Sequence, residues 1–157
     1  MIKSVLMVCT GNSCRSVMAE GLFKKWLKDH GCGDVRVASA GIATIPGMMA
    51  SSNAIDVMKR EHVDVSSHRA QSVSGRLIGE YDLILCMEPV HVAAVTGILP
   101  EAEGKTHLLL DYAYSGDSEK PKNLRVVDPI GKPKEVYESV LMTLKDAIEK
   151  LGRKICG

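Results

Sequence analysis

Several features that would place this chain in a common class of protein are missing from its 157 residues. No apolar run approaches the roughly 20 residues that a bilayer-spanning helix needs, so we do not expect a membrane protein. The formal net charge is only +1 at pH 7, which gives no reason to expect nucleic acid or a membrane surface as a partner. No internal repeat and no Pro-, Gly- or Ser-rich linker divides the sequence. We therefore predict a single domain over residues 1–157.

Motifs for the usual nucleotide and metal sites are also missing. The chain has neither a Gly-x4-Gly-Lys-Ser/Thr loop nor a Gly-x-Gly-x2-Gly turn after a strand, which excludes the common nucleotide-binding loops. It has no paired Cys-x2-Cys motifs and no His-x3-His spacing, so we expect no metal site.

Cysteine usage and the start of the chain bear on location. The five cysteines are odd in number and include a proposed reactive thiol, which indicates a reducing compartment and not a disulfide framework. The first residues run directly into an apolar strand pattern without the features of a signal peptide. These observations predict a cytoplasmic protein.

The most informative stretch that is present, residues 9–16, reads Cys-Thr-Gly-Asn-Ser-Cys-Arg-Ser. Residues 2–8 before it are apolar and β-branched, which is typical of a strand buried on both faces of a parallel sheet. After it, apolar residues at helical spacing predict an amphipathic helix over 17–30 that Gly31 ends. The stretch therefore occupies a strand-to-helix turn, where free N–H groups and the positive end of a helix dipole attract an anion.

Cys9 and Arg15, which five residues separate, give this turn its chemistry. Near a helix N-terminus and an arginine, we expect the pKa of Cys9 to be depressed, so that the nucleophilic thiolate predominates. The planar guanidinium of Arg15 can bind two phosphoryl oxygens, and the Ser16 hydroxyl can donate to the Cys9 sulfur. Cys9 alone would more often be an inert buried thiol, but the combination predicts phosphoryl transfer. The other predicted phosphate-binding residues are Thr10, Gly11, Asn12, Ser13 and Cys14.

Alternating patterns along the rest of the chain predict an α/β protein with a parallel sheet. Ligands of such sheets bind beyond the carboxyl ends of the strands, where Cys9 lies. Residues 111–127 are the least regular part of the sequence and are predicted to form a loop. The predicted strands are 35–39, 81–87 and 106–110, and the predicted helices are 52–61, 90–98 and 134–155.

The 9–16 stretch, followed by Met18-Ala19-Glu20, resembles the signature of the low-molecular-weight protein tyrosine phosphatases. The resemblance covers nearly the whole chain and is closest to bacterial members, including the protein arginine phosphatase branch. It implies a phosphatase-I-like α/β fold with a four-stranded parallel sheet in the order 2-1-3-4 and helices on both faces. Further matching segments, in the family's order, are Ser39-Ala40-Gly41, His68-Arg69-Ala70, residues 82–87 and Asp128-Pro129.

The resemblance also implies roles for individual residues. Cys9 would attack phosphorus, Arg15 would bind the phosphoryl oxygens, and Asp128 would protonate the leaving group and then activate water. The implied partners are a phosphorylated protein substrate and inorganic phosphate or a similar oxyanion, and no cofactor is implied. The residues implied to support the loop by hydrogen bonds are Asn12, Ser39 and His68, beside Ser16.

Substrate preference stays open because the chain departs from the tyrosine-directed members. Ile45 and Ile130 lie in segments where those members carry aromatic side chains that stack on a phenyl ring. Ser13 replaces their bulky aliphatic residue, and arginine-directed relatives have a threonine there. Glu88 stands where the family has an aspartate near the arginine. We therefore predict phosphotyrosine hydrolysis, with protein arginine phosphatase activity on the same site as the alternative.

Other interpretations concern the remaining cysteines. Arsenate reduction would use the same turn but needs resolving thiols, and Cys86 ends an apolar strand that we interpret as core. A non-catalytic phosphate-binding module is a further alternative. Cys14 either packs beneath the turn or acts as a redox partner that traps oxidised Cys9 as a disulfide.

Overall fold

A four-stranded, all-parallel sheet forms the centre of the computed structural model, which covers residues 1–157. Its strand order is β2-β1-β3-β4, so the first strand of the chain lies inside the sheet. The predicted fold class and strand order are confirmed. The strands are β1 (Ser4–Cys9), β2 (Arg36–Gly41), β3 (Leu83–Cys86) and β4 (Thr106–Leu108).

Helices connect the strands and end the chain. Two of them begin at serines whose hydroxyls accept a backbone N–H, with Ser51 bonded to Ala54 and Ser74 to Leu77. Every helix falls short of the length or the apolar character required to cross a bilayer. The helices are α1 (Arg15–Asp29), α2 (Ser52–Lys59), α3 (Gly75–Gly79), α4 (Pro89–Ile98), α5 (Leu109–Ala113) and α6 (Lys134–Cys156), with a 3₁₀ helix at Pro100–Lys105.

Both faces of the sheet are covered, as the burial of β1 shows. Val5 and Met7 point into a large core that includes residues of α1, α2, α5 and α6. Leu6 and Val8 point the other way, into a smaller core with Ile78 of α3. Because successive side chains of a strand alternate between faces, this two-sided cover explains why β1 is a continuous apolar run.

The fourth strand is shorter than predicted. β4 ends at Leu108, and the next residues form α5, where the sequence predicted a strand through residue 110 and a loop beyond it. Leu109, Leu110 and Ala113 are buried together in the large core, at the spacing of one helical face. A short apolar run fits a strand or a buried helical turn equally well, so its periodicity could not separate them.

Cys32 and Cys156 form a disulfide, which the odd number of cysteines did not predict. The sequence was interpreted as having no disulfide framework, and this one bridge was not predicted. The two residues are 124 positions apart, but Cys32 lies three residues beyond the end of α1 and Cys156 is the last residue of α6, and these helices pack side by side. Their Cα atoms are 6.4 Å apart, within the usual range of about 4.4–6.8 Å. Cys9, Cys14 and Cys86 are free thiols.

Candidate active site

Residues 9–16 form a tight loop at the carboxyl edge of the sheet, between the last residue of β1 and the first turn of α1. Asn12 has a φ of 54°, in the left-handed region that asparagine tolerates. Gly41, at the end of β2, lets the two chains approach closely, because a Cβ there would lie 2.5 Å from the carbonyl oxygen of Thr10. We call this turn the 9–16 loop.

Asn12 lies at the centre of a buried hydrogen-bond network. Its Oδ1 accepts the backbone N–H of Gln71 at 3.0 Å, which fixes the orientation of the amide. The Nδ2 group therefore donates to the hydroxyls of Ser16 and Ser39, at 2.8 and 2.9 Å. Ser39 in turn donates to Glu20 at 2.5 Å. The network ties the loop to α1, to β2 and to the segment around residue 71.

This network also directs the Ser16 hydroxyl toward the nucleophile. Because Asn12 donates to the Ser16 oxygen, the Ser16 hydrogen is free to donate to Cys9 Sγ, which lies 2.9 Å away. On the other side of the loop, His68 Nε2 donates to the carbonyl oxygen of Asn12 at 2.8 Å. Ser16, Ser39 and His68 are thus brought together around the loop.

The Cys9 thiol is buried, and this changes its ionisation from the sequence-based expectation. Burial raises the pKa of Cys9 above its ordinary value, although hydrogen bonds from Ser16 and Asn12 and the charge of Arg15 act to lower it. The prediction of a depressed pKa is therefore wrong. It counted the nearby donors and the positive charge but not the loss of solvent around the sulfur.

Arg15 is buried, and both of its terminal nitrogens are held. Nη1 donates to Glu88 Oε2 at 2.5 Å and to the carbonyl oxygen of Val126 at 3.0 Å. Nη2 lies 3.4 Å from Thr10 Oγ1 and 3.5 Å from Asp128 Oδ2. Although burial opposes it, the Arg15 guanidinium holds the pKa of Glu88 below its usual range. A buried guanidinium fixed on several sides presents its remaining donors in one orientation.

Asp128 faces the loop across a small cavity. The backbone N–H of Val126 donates to the Met87 carbonyl at 3.0 Å, which anchors the segment that carries Asp128 beside β3. The Asp128 side chain is 40% exposed, and its Oδ1 accepts the backbone N–H of Ile130. The cavity has a volume of about 220 Å³ and is lined by Cys9, Thr10, Gly11, Ser13, Cys14, Arg15, Asp128 and Ile130.

Comparison with known proteins agrees with this geometry. The family model described as low molecular weight phosphotyrosine protein phosphatase matches residues 4–156. The chain belongs to this family. A curated relative, the low molecular weight protein-tyrosine-phosphatase Wzb of Salmonella typhimurium, is 37% identical over 145 residues, which are 92% of this chain and 89% of Wzb. The family predicted from the sequence is confirmed.

Solved structures of other family members have the same fold. Wzb of Vibrio vulnificus in complex with benzylphosphonate is 34% identical, with a TM-score of 0.85 over 98% of this chain and 99% of that one. The YwlE arginine phosphatase of Geobacillus stearothermophilus is 31% identical, with a TM-score of 0.84 over 97% of this chain and 92% of that one. The family therefore includes proteins named for either phosphorylated residue.

In this phosphatase family member, Cys14 packs beneath the 9–16 loop. Its Sγ lies 3.2 Å from Ser51 Oγ and 3.4 Å from the hydroxyl of Tyr137 in α6. The Ser13 hydroxyl lies 3.6 Å from Cys14 Sγ. Cys14 therefore contacts α6 and the start of α2 while it lines the cavity.

Exposed apolar side chains lie on the two chain segments that flank the cavity. Residues 42–51 are hydrogen-bonded to the 9–16 loop at both ends. At the first end, backbone N–H groups donate to the carbonyls of Cys9 and Thr10, and at the other end the Ser51 N–H donates to the carbonyl of Ser13. Ile130 lines the cavity, whereas Ile45 does not. We define the rim as five side chains, each 51–69% exposed, on the two segments beside the cavity: Ile45, Met48, Met49, Val127 and Ile130.

Several residues around the loop carried no usable signal in the sequence. Gln71 and Tyr137 reach the loop through tertiary contacts across 59 and 123 positions. His91, the third residue of α4, contacts Thr10 across 81 positions. Glu20 was noted only as part of the family signature, and its bond to Ser39 explains its presence there.

Proposed function

We propose that this chain is a protein phosphatase that hydrolyses phosphotyrosine through a cysteinyl-phosphate intermediate. The single observation that supports the proposal most strongly is that the Cys9 thiol, the Arg15 guanidinium and the Asp128 carboxyl group line one cavity. A nucleophile, an oxyanion-binding cation and a proton donor are the three groups that this reaction requires.

The contacts support a role for each group. Although burial raises the pKa of Cys9, its Sγ attacks phosphorus as the thiolate, which the Ser16 hydroxyl and the Arg15 charge stabilise. Arg15 and the N–H groups of the 9–16 loop bind the phosphoryl oxygens. Asp128, across the cavity, protonates the leaving oxygen and then takes a proton from the water that hydrolyses the thiophosphate.

Protein arginine phosphatase activity is the second candidate. Two cavity-lining residues favour it, since Ser13 leaves room near the phosphorus and Ile130 offers no aromatic face to a phenyl ring. The solved relative from Geobacillus stearothermophilus is named an arginine phosphatase. Both activities use the same nucleophile and acid, so substrate choice depends on the rim and on Ser13.

Arsenate reduction has less support because it needs resolving thiols, and beside Cys9 only the free thiol of Cys14 lines the cavity. Cys86 is buried in the small core, and burial raises its pKa to about 12. Such a thiol is neither exposed nor ionised under ordinary conditions, so it is a poor resolving group.

We further propose a phosphorylated protein as substrate, a single phosphatase domain over residues 1–157 and a cytoplasmic location. A reducing compartment suits a thiol nucleophile, which peroxide would otherwise oxidise, whereas the disulfide between Cys32 and Cys156 is of a kind that is rare in cytosolic proteins. Cys14 remains a proposed redox partner of Cys9. If Cys14→Ser recovered as fully as the parent after peroxide and then thiol reductant, that role would be excluded.

The test is a comparison of kcat/KM for a phosphotyrosine peptide and a phosphoarginine peptide of the same sequence context. Cys9→Ser should abolish hydrolysis of both, and Asp128→Asn should slow both by roughly 10²–10⁴-fold. A preference for phosphotyrosine supports the first candidate, and a preference for phosphoarginine replaces it with the second. Full activity of Cys9→Ser would overturn both.

A further inference from the structure

His91 is buried beneath the 9–16 loop, and the proposed reaction gives it no role. It contacts Thr10, a cavity-lining residue whose side chain the reaction also leaves unused. We propose that His91 is a positioning residue that makes the Thr10 hydroxyl a hydrogen-bond donor to the phosphoryl group. This inference rests on the proposed function of the loop as a phosphate site.

The hydrogen bonds of His91 define which ring nitrogen carries the proton. Nδ1 lies 3.0 Å from the backbone nitrogen of Glu88, which can only donate, so Nδ1 must accept. A neutral ring that accepts at Nδ1 carries its hydrogen on Nε2. Nε2 lies 2.9 Å from Thr10 Oγ1 and therefore donates to it.

Thr10 Oγ1 therefore accepts two hydrogen bonds. The second donor is Arg15 Nη2 at 3.4 Å. A hydroxyl oxygen has two lone pairs and one hydrogen, so two incoming bonds leave only the hydrogen to find a partner. Because Thr10 lines the cavity with Cys9 and Arg15, the available acceptor is an oxyanion placed there.

The electrostatic surroundings keep His91 neutral. Burial and the nearby Arg15 charge lower the pKa of His91 to about 4, although Glu88 and Asp128 act to raise it. A charged ring would carry a hydrogen on Nδ1 that faced the Glu88 N–H, donor against donor. The arrangement therefore needs an imidazole, and neither lysine nor arginine could replace it.

The experiment measures competitive inhibition by inorganic phosphate, kcat/KM for a phosphotyrosine peptide, and the midpoint of thermal unfolding. The variants are Thr10→Val, which keeps the shape but removes the hydroxyl, and Thr10→Ser, which keeps the hydroxyl. His91→Leu is made alone and combined with Thr10→Val.

We expect Thr10→Val to weaken phosphate inhibition about tenfold, which corresponds to one hydrogen bond to a charged group. Thr10→Ser should stay within about twofold of the parent, because it retains the donor. His91→Leu should weaken inhibition by a similar factor in the parent and by no further factor in Thr10→Val. Such non-additivity indicates that His91 acts through Thr10.

Two results would overturn the inference. Equal phosphate inhibition in the parent and Thr10→Val would show that the hydroxyl donates nothing to the anion. Equal losses from His91→Leu in both backgrounds would show that His91 supports only the packing. Should His91→Leu fail to fold, His91→Met, which also lacks a donor to Thr10, is compared in the same two backgrounds. An inactive Cys9→Ser beside an unaffected Thr10→Val would refute this inference and leave the proposed function standing.

Discussion

The floor of the cavity and its rim differ in burial and in polarity. We use floor for the 9–16 loop and the side chains that hydrogen-bond to it. Asn12, Arg15, Ser16 and His91 of the floor are at most 1% exposed, and each makes a side-chain hydrogen bond. The rim is at least half exposed and consists of aliphatic and thioether side chains. On the proposed function, we expect the floor to determine the chemistry and the rim to select what is attached to the phosphate.

The floor and the rim should also respond differently to substitution. Members of a buried hydrogen-bond network depend on one another, so the loss of one leaves others without partners. Exposed apolar side chains that share no partner act nearly independently, and their effects add. Substitutions in the floor should therefore have large, non-additive effects on stability and activity. Substitutions in the rim should have small effects that add.

Asn12→Ala should have the largest effect. It removes both amide donors and the acceptor of the Gln71 N–H, so we expect a loss of about 2–4 kcal/mol in unfolding free energy and at least about 100-fold in kcat/KM. Denaturant unfolding and steady-state kinetics measure the two losses. Ser13→Ala, next to it, is the control and should change stability by less than about 1 kcal/mol, since its hydroxyl makes only a long contact with sulfur. Similar losses in the two variants would mean that the network is not what holds the loop.

Acid should lower the free energy of unfolding through protonation of His91. Its pKa is about 4 in the folded protein and about 6.5 in the unfolded chain, so the unfolded state binds a proton first as the pH falls. Stability is therefore full above about pH 6.5 and declines toward pH 4, by up to about 3 kcal/mol from this residue.

The measurement is the free energy of unfolding of the parent and His91→Gln at several pH values between 4 and 7. The difference between the two should shrink as the pH falls. His107→Gln replaces a histidine outside the floor and serves as the control. A parent and a His91→Gln protein with parallel pH profiles would show that His91 titrates normally.

Gly41→Ala tests how closely the floor approaches its neighbour. The new Cβ would meet the Thr10 carbonyl oxygen and the Asn12 nitrogen, both backbone atoms that cannot swing aside. We expect about 1–3 kcal/mol of destabilisation, and a loss of kcat/KM because the loop must shift. Gly79→Ala, where the added methyl meets nothing within 4 Å, should be close to neutral in both measurements. Gly41→Ala with the parent's activity would mean that the loop tolerates displacement.

Ile130→Tyr should have the smallest effect and should act on substrate choice. An aromatic side chain at the cavity edge would add about 0.5–1.5 kcal/mol of contact with a phenyl ring, or roughly 2- to 13-fold in kcat/KM for a phosphotyrosine peptide. Hydrolysis of phosphoarginine should not gain by this contact. Met142→Tyr changes an equally exposed side chain outside the cavity and should alter neither substrate. An equal gain for both peptides would show that the rim does not determine substrate specificity.

The sequence indicated the floor better than its surroundings. The 9–16 loop is local in the chain, so its strand, turn and helix could be recognised from pattern and spacing. Asp128 could be placed only through the family resemblance, because it reaches the loop by a contact across more than 100 positions. His91 and Gln71 depend on where β3, α4 and the segment before α3 come to lie, which no local pattern reports.

Two errors have physical causes of a similar kind. The pKa of Cys9 was predicted from its neighbours in sequence, but it follows the burial that the surrounding elements create. The disulfide between Cys32 and Cys156 depends on α1 and α6 ending at the same place. Each is a property of the assembled core, and the composition of the chain is uninformative about it.

That disulfide closes residues 32–156 into a covalent ring, from which β1 and α1 emerge as a tail. The nucleophile Cys9 is carried on the tail, and the acid Asp128 lies within the ring. A protease that cut one peptide bond in the exposed segment before Asp128 would therefore leave a single molecule, in which both groups are still joined through sulfur. Reduction would divide that molecule into two chains, each holding one half of the proposed catalytic pair.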